Sequence, residues 1–401
     1  MKKNFILAAL VLLATLVLLG LLWLEREPAA PVTTEPGAVE AELPPEPEPE
    51  LVTSITLASV GDIMAHMPQV NAAFDRERGE YDFTPCFAPV KPHLAEADIA
   101  VANLETTLAG PEQGYSGYPR FNSPAELAAA LRWAGFHLVS TANNHSLDRG
   151  EKGVLSTLDN LATHGLLAVG TYRSWEEREA ITMLEREGQC LAILAYTYGT
   201  NGIPLPKGKE YLVKLIDRDE MAQDIARARE GGADWIVILL HFGHEYHRHP
   251  SPEQEELVAF LFAQGADIIL GSHPHVLQPV KFFSGEGGDR LVAYSQGNFI
   301  SNQRDRYRDS GMILYVTLEK NVTRGEKRIK AVEYLPTWVH RYRLDGRLHY
   351  RVLPVQEAMR AYEGGADPYL TEGDWHRLRE VWEETVSWVA PEGGVRVRGG
   401  D

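Results

Sequence analysis

Gly271-Ser272-His273-Pro274-His275-Val276 follows the apolar run of residues 267–270 and sets a His-x-His pair where a buried strand runs out into a loop. Pro274 fixes the local φ and removes an amide that would otherwise need a partner. Two imidazoles held two apart at a strand end can converge on one ion or on two neighbouring ones. One such pair in a chain of 401 residues is more often incidental. Repetition of the pattern decides the reading. Residues 55–60 run into Gly61-Asp62, and 98–102 into Asn103-Leu104-Glu105. Residues 137–142 run into Asn143-Asn144-His145, and 235–240 into His241-Phe242-Gly243-His244-Glu245. Short β-branched runs between helical stretches read as buried strands of an α/β sheet, and ligands gather outside the carboxyl ends of such strands. Five apolar runs therefore bring Asp, Glu or Asn, Asn and His side chains to one edge.

The amino terminus is of another kind. Lys2-Lys3 precede residues 5–24, an uncharged apolar run of about 20 residues, ~30 Å as a helix, which matches a bilayer core. The positive flank keeps the amino terminus inside and sends everything after Leu24 outside. Residues 1–24 are expected to be an uncleaved single-pass anchor, with a cleaved signal peptide as the competing reading. Residues 25–50 hold eight Glu and one Arg among prolines, an extended and self-repelling tether. With a net charge of −17 the chain is not a general nucleic-acid binder. Cys86 and Cys190 read as two unpaired thiols.

The globule is expected from residue 51 to 355, followed by a helical extension over 356–401. Helices are predicted over 86–97, from Ser123-Pro124 to 133, and over 153–164, 217–230, 252–264 and 372–389. A hairpin turns at Glu187-Gly188. Later strands are predicted at 276–283, 290–295, 312–319 and 329–335, with extended chain over 338–354.

Six motifs in order, SVGDIM (59–64), ANLET (102–106), ANNHSLD (142–148), LLHFGHEY (239–246), GSHPHV (271–276) and YSQGNF (294–299), resemble the bacterial capsule-synthesis protein CapA family, associated with poly-γ-glutamate. That family is similar in fold to the calcineurin-like metallophosphoesterases. The resemblance implies a metallophosphoesterase-like α-β-β-α sandwich and a site for one or two divalent ions, with Mn, Fe or Zn suited to mixed His, Asn and carboxylate ligands. Carried over position by position, it implies Asp62, Glu105 (or Asn103), Asn144, His241, His273 and His275 as metal ligands and His145 as the catalytic residue, protonating a leaving oxygen or steadying a phosphoryl oxygen. This chain departs from the pattern at Met64, where a histidine would be expected, and His66 lies two residues further along. The implied role is a membrane-anchored, extracytoplasmic protein of poly-γ-glutamate capsule synthesis or export, working with other capsule-synthesis subunits on the polymer. The alternative is an extracytoplasmic hydrolase of phosphoesters or polymer, unrelated to export.

Several side chains carry two readings. His244 and Glu245 either support His241 or shape its loop. Asn298 either orients the His275 loop or caps a turn with Gly297. Tyr115, Tyr118 and Arg120 form a loop at the substrate side or a packed aromatic loop. Arg304, Arg306 and Arg308 alternate with Asp305 and Asp309, so an extended chain would offer three arginines on one face to a carboxylate or phosphate.

Overall fold

Alternation at period two divides each central strand between two apolar layers. In Val52–Ile63, Ile55 and Leu57 point one way and Ala58 and Val60 the other. In Ile99–Leu104 the division is Ile99 and Val101 against Ala100 and Ala102. In Trp235–His241 it is Trp235, Val237 and Leu239 against Ile236, Ile238 and Leu240. The inward sets of two sheets meet in one shared core. Outside the first sheet lies the helix Glu126–Ala134, through Leu127 and Leu131. Outside the second lie Arg218–Glu230 and Pro252–Gln264, through Ile225 and Leu261. The chain is thus a mixed α/β protein layered helix, sheet, sheet, helix. The computed structural model describes residues 50–399 apart from 286 and 392. The expected anchor, and the tether up to residue 49, lie outside the described residues. Among those described, no helix is long and apolar enough to cross a membrane.

The first sheet runs 347–354, 326–344, 310–321, 52–63, 99–104, 138–140, 167–169, with 298–300 beside the end of 52–63. The second runs 280–283, 290–293, 268–272, 235–241, 189–197, 182–186. Strands 52–63, 99–104 and 138–140 are parallel neighbours, as are 235–241 and 268–272. Their carboxyl ends carry the polar residues singled out above.

Strong local signals and structure agree where caps are present. Pro252–Gln264 and Glu372–Val389 begin behind capping boxes of Ser251 with Gln254 and Thr371 with Asp374. The turn at Glu187-Gly188 has both residues at positive φ, 47° and 69°, as a two-residue hairpin requires. Elsewhere the chain differs from expectation. In place of one helix over 86–97 there are two single turns, Thr84–Phe87 and Lys91–Leu94, each opened by its own proline. The 126–134 helix does not start at Ser123, whose hydroxyl lies 2.7 Å from the Thr106 hydroxyl and whose amide donates to Thr107 O. One strand, Glu326–Leu344, runs straight through Pro336. It can do so because pairing with 347–354 starts only at Thr337, so the missing amide interrupts no ladder on that side.

The region after 354 folds back on the sandwich. Val355–Glu363 and Glu372–Val389 pack Val355, Leu378 and Val381 on Trp338 and Leu353. Arg248 lies between the rings of Tyr307 and Trp388, 4.1 and 4.3 Å from their centroids, tying the last helix to the loop after His241.

Candidate metal centre

Both sheets deliver their strand ends to one buried cluster. Backbone space there is tight. A Cβ on Gly61 would lie 1.9 Å from Gly297 O, and one on Gly271 would lie 2.1 Å from Tyr294 O, so the residues before Asp62 and Ser272 must be glycine. His273 and His275, on either side of Pro274, are held at φ 98° and 58°, left-handed values that non-glycine residues rarely adopt. Backbone strain of this kind collects at functional sites.

Asp62, fully buried, is saturated. Its Oδ1 accepts from Asn103 Nδ2 at 2.8 Å, and its Oδ2 accepts from His275 Nδ1 at 3.0 Å and the His273 amide at 3.3 Å. Burial alone would raise its pKa, but the hydrogen bond and charge of His275 hold the carboxyl below the usual range. Glu105 is the opposite case. Its Oε1 is buried and lacks any hydrogen-bond partner among the described residues, 3.6 Å from His241 Nε2 and 3.8 Å from His275 Nε2. Burial, with the neighbouring Asp62 charge, pushes its pKa well up. His241 Nε2 lies 2.9 Å from Asn144 Oδ1, while its Nδ1 faces Asn103 Nδ2 and the Ser272 hydroxyl. Burial, then the charges of His273 and His275, holds it neutral well below its ordinary pKa. His273 is pushed down to about 3 by burial first and His275 second, and its buried Nδ1 also has no partner among the described residues.

These observations test whether a divalent ion fits. Two sets of ligand atoms each lie within 4.8 Å of one another, Asp62 with Glu105 and His275, and Glu105 with His241 and His273. Glu105 belongs to both. A carboxylate oxygen and an imidazole nitrogen left unpaired in a dry interior are expensive unless something cationic is meant to sit there. Neutral imidazoles and a shared carboxylate are the donor set that Mn, Fe or Zn prefers. The residues fit. Of the two candidates for the shared position, Glu105 faces the histidines, while Asn103 donates its amide to Asp62 and Glu105.

His145 stands beside this cluster with a different partner. Its Nδ1 is 2.7 Å from Asp148 Oδ2, and its ring meets the edge of Phe121 at 4.7 Å. Asp148 went unread in the sequence, although an acid three residues after a histidine in ANNHSLD was a usable signal. Tyr198 was also missed; its ring lies over His273 at 4.6 Å and stacks on His241 at 6.2 Å. Nothing local to Tyr198 announces that contact. Glu245 reaches the exposed side of the cluster in a third grouping with His273 and His275. His244 turns to His247 instead, 5.5 Å away. His66, lowered to about 4 chiefly by burial, accepts the Asn302 amide on Nδ1. Asn298 pairs with Asp62 across the strands, and its side chain donates to Arg308 O at 2.7 Å, bracing the turn.

The three arginines require a correction. The 304–308 segment is a turn, with Arg308 N bonded to Asp305 O and Tyr307 at φ 73°, so the alternating face does not form. Arg304 donates to Val339 O, Arg306 pairs with Glu384, and Arg308 pairs with Asp305 while lying 3.4 Å from the Tyr246 ring centroid.

Comparison with known proteins follows the same lines. The family described as "Bacterial capsule synthesis protein PGA_cap" matches residues 56–303. The chain is 29% identical over 324 residues to "Capsule biosynthesis protein CapA" of Bacillus anthracis, covering 78% of this chain and 73% of that one. It is 28% identical over 284 residues to "PGA biosynthesis protein CapA" of Bacillus subtilis (strain 168), covering 67% and 69%. Among solved structures it resembles the calcineurin-like phosphoesterase YfkN from Bacillus subtilis, with a TM-score of 0.41, 13% identity and coverage of 84% and 99%. It also resembles the Haemophilus influenzae NAD nucleotidase, with a TM-score of 0.45 and 12% identity, over 88% of this chain and 65% of that one.

Proposed function

Because the chain belongs to the bacterial capsule synthesis protein family PGA_cap, we propose that it serves capsule synthesis by acting on an anionic polymer or phosphoester through a phosphoesterase-type metal site. The observation that carries this reading is the unpaired Glu105 Oε1, shared by two ligand groups and facing two histidines. Asp62, Glu105 and His275 would hold one ion, and Glu105, His241 and His273, with Asn144 beside them, a second. When bound, such ions polarise a phosphoryl or carbonyl oxygen and neutralise charge that develops on it.

The rest falls to the chain's own side chains. Asp148 orients His145 through Nδ1, which leaves Nε2 to hold a proton for the leaving oxygen. Asn103 and the His273 amide fix the Asp62 carboxylate, so that ligand does not reorganise. Tyr198, over His241 and His273, shields both rings from water on that side. The His145–Asp148 pair favours turnover over binding alone.

Metal analysis of the full chain tests the site. The parent is expected to retain divalent metal after desalting, and His241→Ala and His273→Ala are each expected to lower it more than tenfold in affinity. Unchanged metal content in both variants would overturn the assignment.

The reading also places the globule outside the cell membrane, tethered by residues 1–24. It rests on the Lys2-Lys3 flank and the apolar run. Protease added to intact spheroplasts should then digest the globule, and full protection of it would refute the topology.

A further inference from the structure

Beside His145 opens a cleft of about 450 Å³, lined among others by Tyr118, Arg120, Asn144, Asn201 and Glu245. Arg120 is the only lysine or arginine among the residues that line it. Most arginines of this chain are engaged with carboxylates, carbonyls or rings, as Arg149, Arg306 and Arg377 are. The Arg120 guanidinium has no hydrogen-bond or ion-pair partner among the described residues.

The root of that side chain is fixed even though its head is free. Arg120 O accepts from Ser116 Oγ at 2.5 Å, and Ser116 and Asn122 exchange backbone hydrogen bonds at 3.0 and 2.9 Å. The Arg149 guanidinium braces Ser116 in turn. The next residue, Phe121, donates its amide to Asp148 Oδ2 at 2.6 Å, the same oxygen that faces His145 Nδ1. One carboxylate oxygen therefore holds both the imidazole beside the metal cluster and the backbone from which Arg120 springs. The Phe121 ring against His145 adds a second tie. A guanidinium with a rigid root, a free fork and a fixed relation to the reacting histidine is built to receive a planar anion.

Charge narrows the class of anion. Glu245 lines the same cleft, so the lone guanidinium, taken by itself, offsets one negative charge rather than two. A single carboxylate matches the one free fork. We propose that Arg120 is a subsite for a substrate carboxylate lying next to the bond on which His145 acts. This rests on the metal-site reading for which bond is attacked, but carboxylate binding can be measured without turnover.

The test is calorimetric titration of the full chain, as parent, Arg120→Gln and Arg120→Lys, with three probes: γ-linked triglutamate, its α-carboxamide counterpart, and inorganic phosphate. Metal content is measured on the same samples. The parent is expected to bind the acid about tenfold or more tighter than the amide, the range of a charge-assisted pair. Arg120→Gln should lose that preference, Arg120→Lys should keep part of it, and metal content should not change. Equal affinity of parent and Arg120→Gln for the acid overturns the proposal, as does a parent that does not distinguish acid from amide. A loss confined to phosphate also overturns it, since the anion would then be a phosphate. A parent without metal would defeat the metal-site reading and still leave the acid-against-amide comparison decisive for Arg120.

Discussion

Replacing Glu105 with Gln is expected to strip metal from the whole site and, in metal-free protein, to raise the unfolding temperature. The two effects have one cause. Glu105 is the side chain common to both ligand groups, so neither is complete without it, and affinity should fall more than a hundredfold. In the metal-free state the same carboxyl is a liability, buried beside Asp62 with Oε1 unpaired. A neutral amide of the same shape avoids the cost of burying, or of protonating, an acid beside Asp62, a gain of about 1–3 kcal/mol. With metal at about a thousand times its dissociation constant the parent instead gains about 4 kcal/mol by linkage. Thermal scans should therefore cross: variant above parent in chelator, parent above variant in excess Mn²⁺. A variant less stable than the parent under both conditions would mean that Glu105 is a structural carboxylate.

Asp148→Asn should reduce hydrolysis of bis(p-nitrophenyl) phosphate by about 10²–10⁴-fold while leaving bound metal in place. Asp148 Oδ2 serves two donors, His145 Nδ1 and the Phe121 amide. An asparagine has one acceptor oxygen. If that oxygen takes the place of Oδ2 it can still accept from both donors, but the negative charge that supports a protonated imidazole is gone. If the amide is turned over, its NH₂ faces both donors, the Phe121 amide loses its acceptor and the His145 ring proton is driven to Nε2. Because the two residues would act as one unit, adding His145→Gln should cost almost nothing further. Multiplicative losses in the double variant would separate Asp148 from His145 and leave it only a loop anchor.

The parts of this architecture legible in the sequence are those governed by neighbours along the chain. An apolar β-branched run that stops at a polar residue marks a strand end, and five of them flagged Asp62, Glu105, Asn144, His241 and the His273/His275 pair. The helices read over 252–264 and 372–389 form with those bounds, each behind a capping box. What escaped depends on register between distant strands. Tyr198 reaches the histidines because 189–197 lies beside 235–241, with Thr197 opposite His241. The arginine face failed for a local reason that alternation does not encode, the left-handed Tyr307 that turns the chain on itself. Pro336 suggested a break, yet the partner strand ends where the missing amide would matter.

The strand that carries Asp62 has a further consequence, for the order in which the protein assembles. Its antiparallel partner is Ser310–Asn321, paired from Val52 opposite Asn321 to Val60 opposite Ile313. The first of the described strands thus waits for one of the last, and until then one whole edge of it stays unsatisfied. Long loop closure of this kind makes folding slow and leaves the growing chain open to strand-mediated aggregation. By the same argument the candidate metal cluster should be a late product of folding, formed after the carboxyl-terminal third arrives. A chain cut at residue 303, where the family resemblance ends, would keep every proposed ligand and lose the strand that holds Asp62 in line.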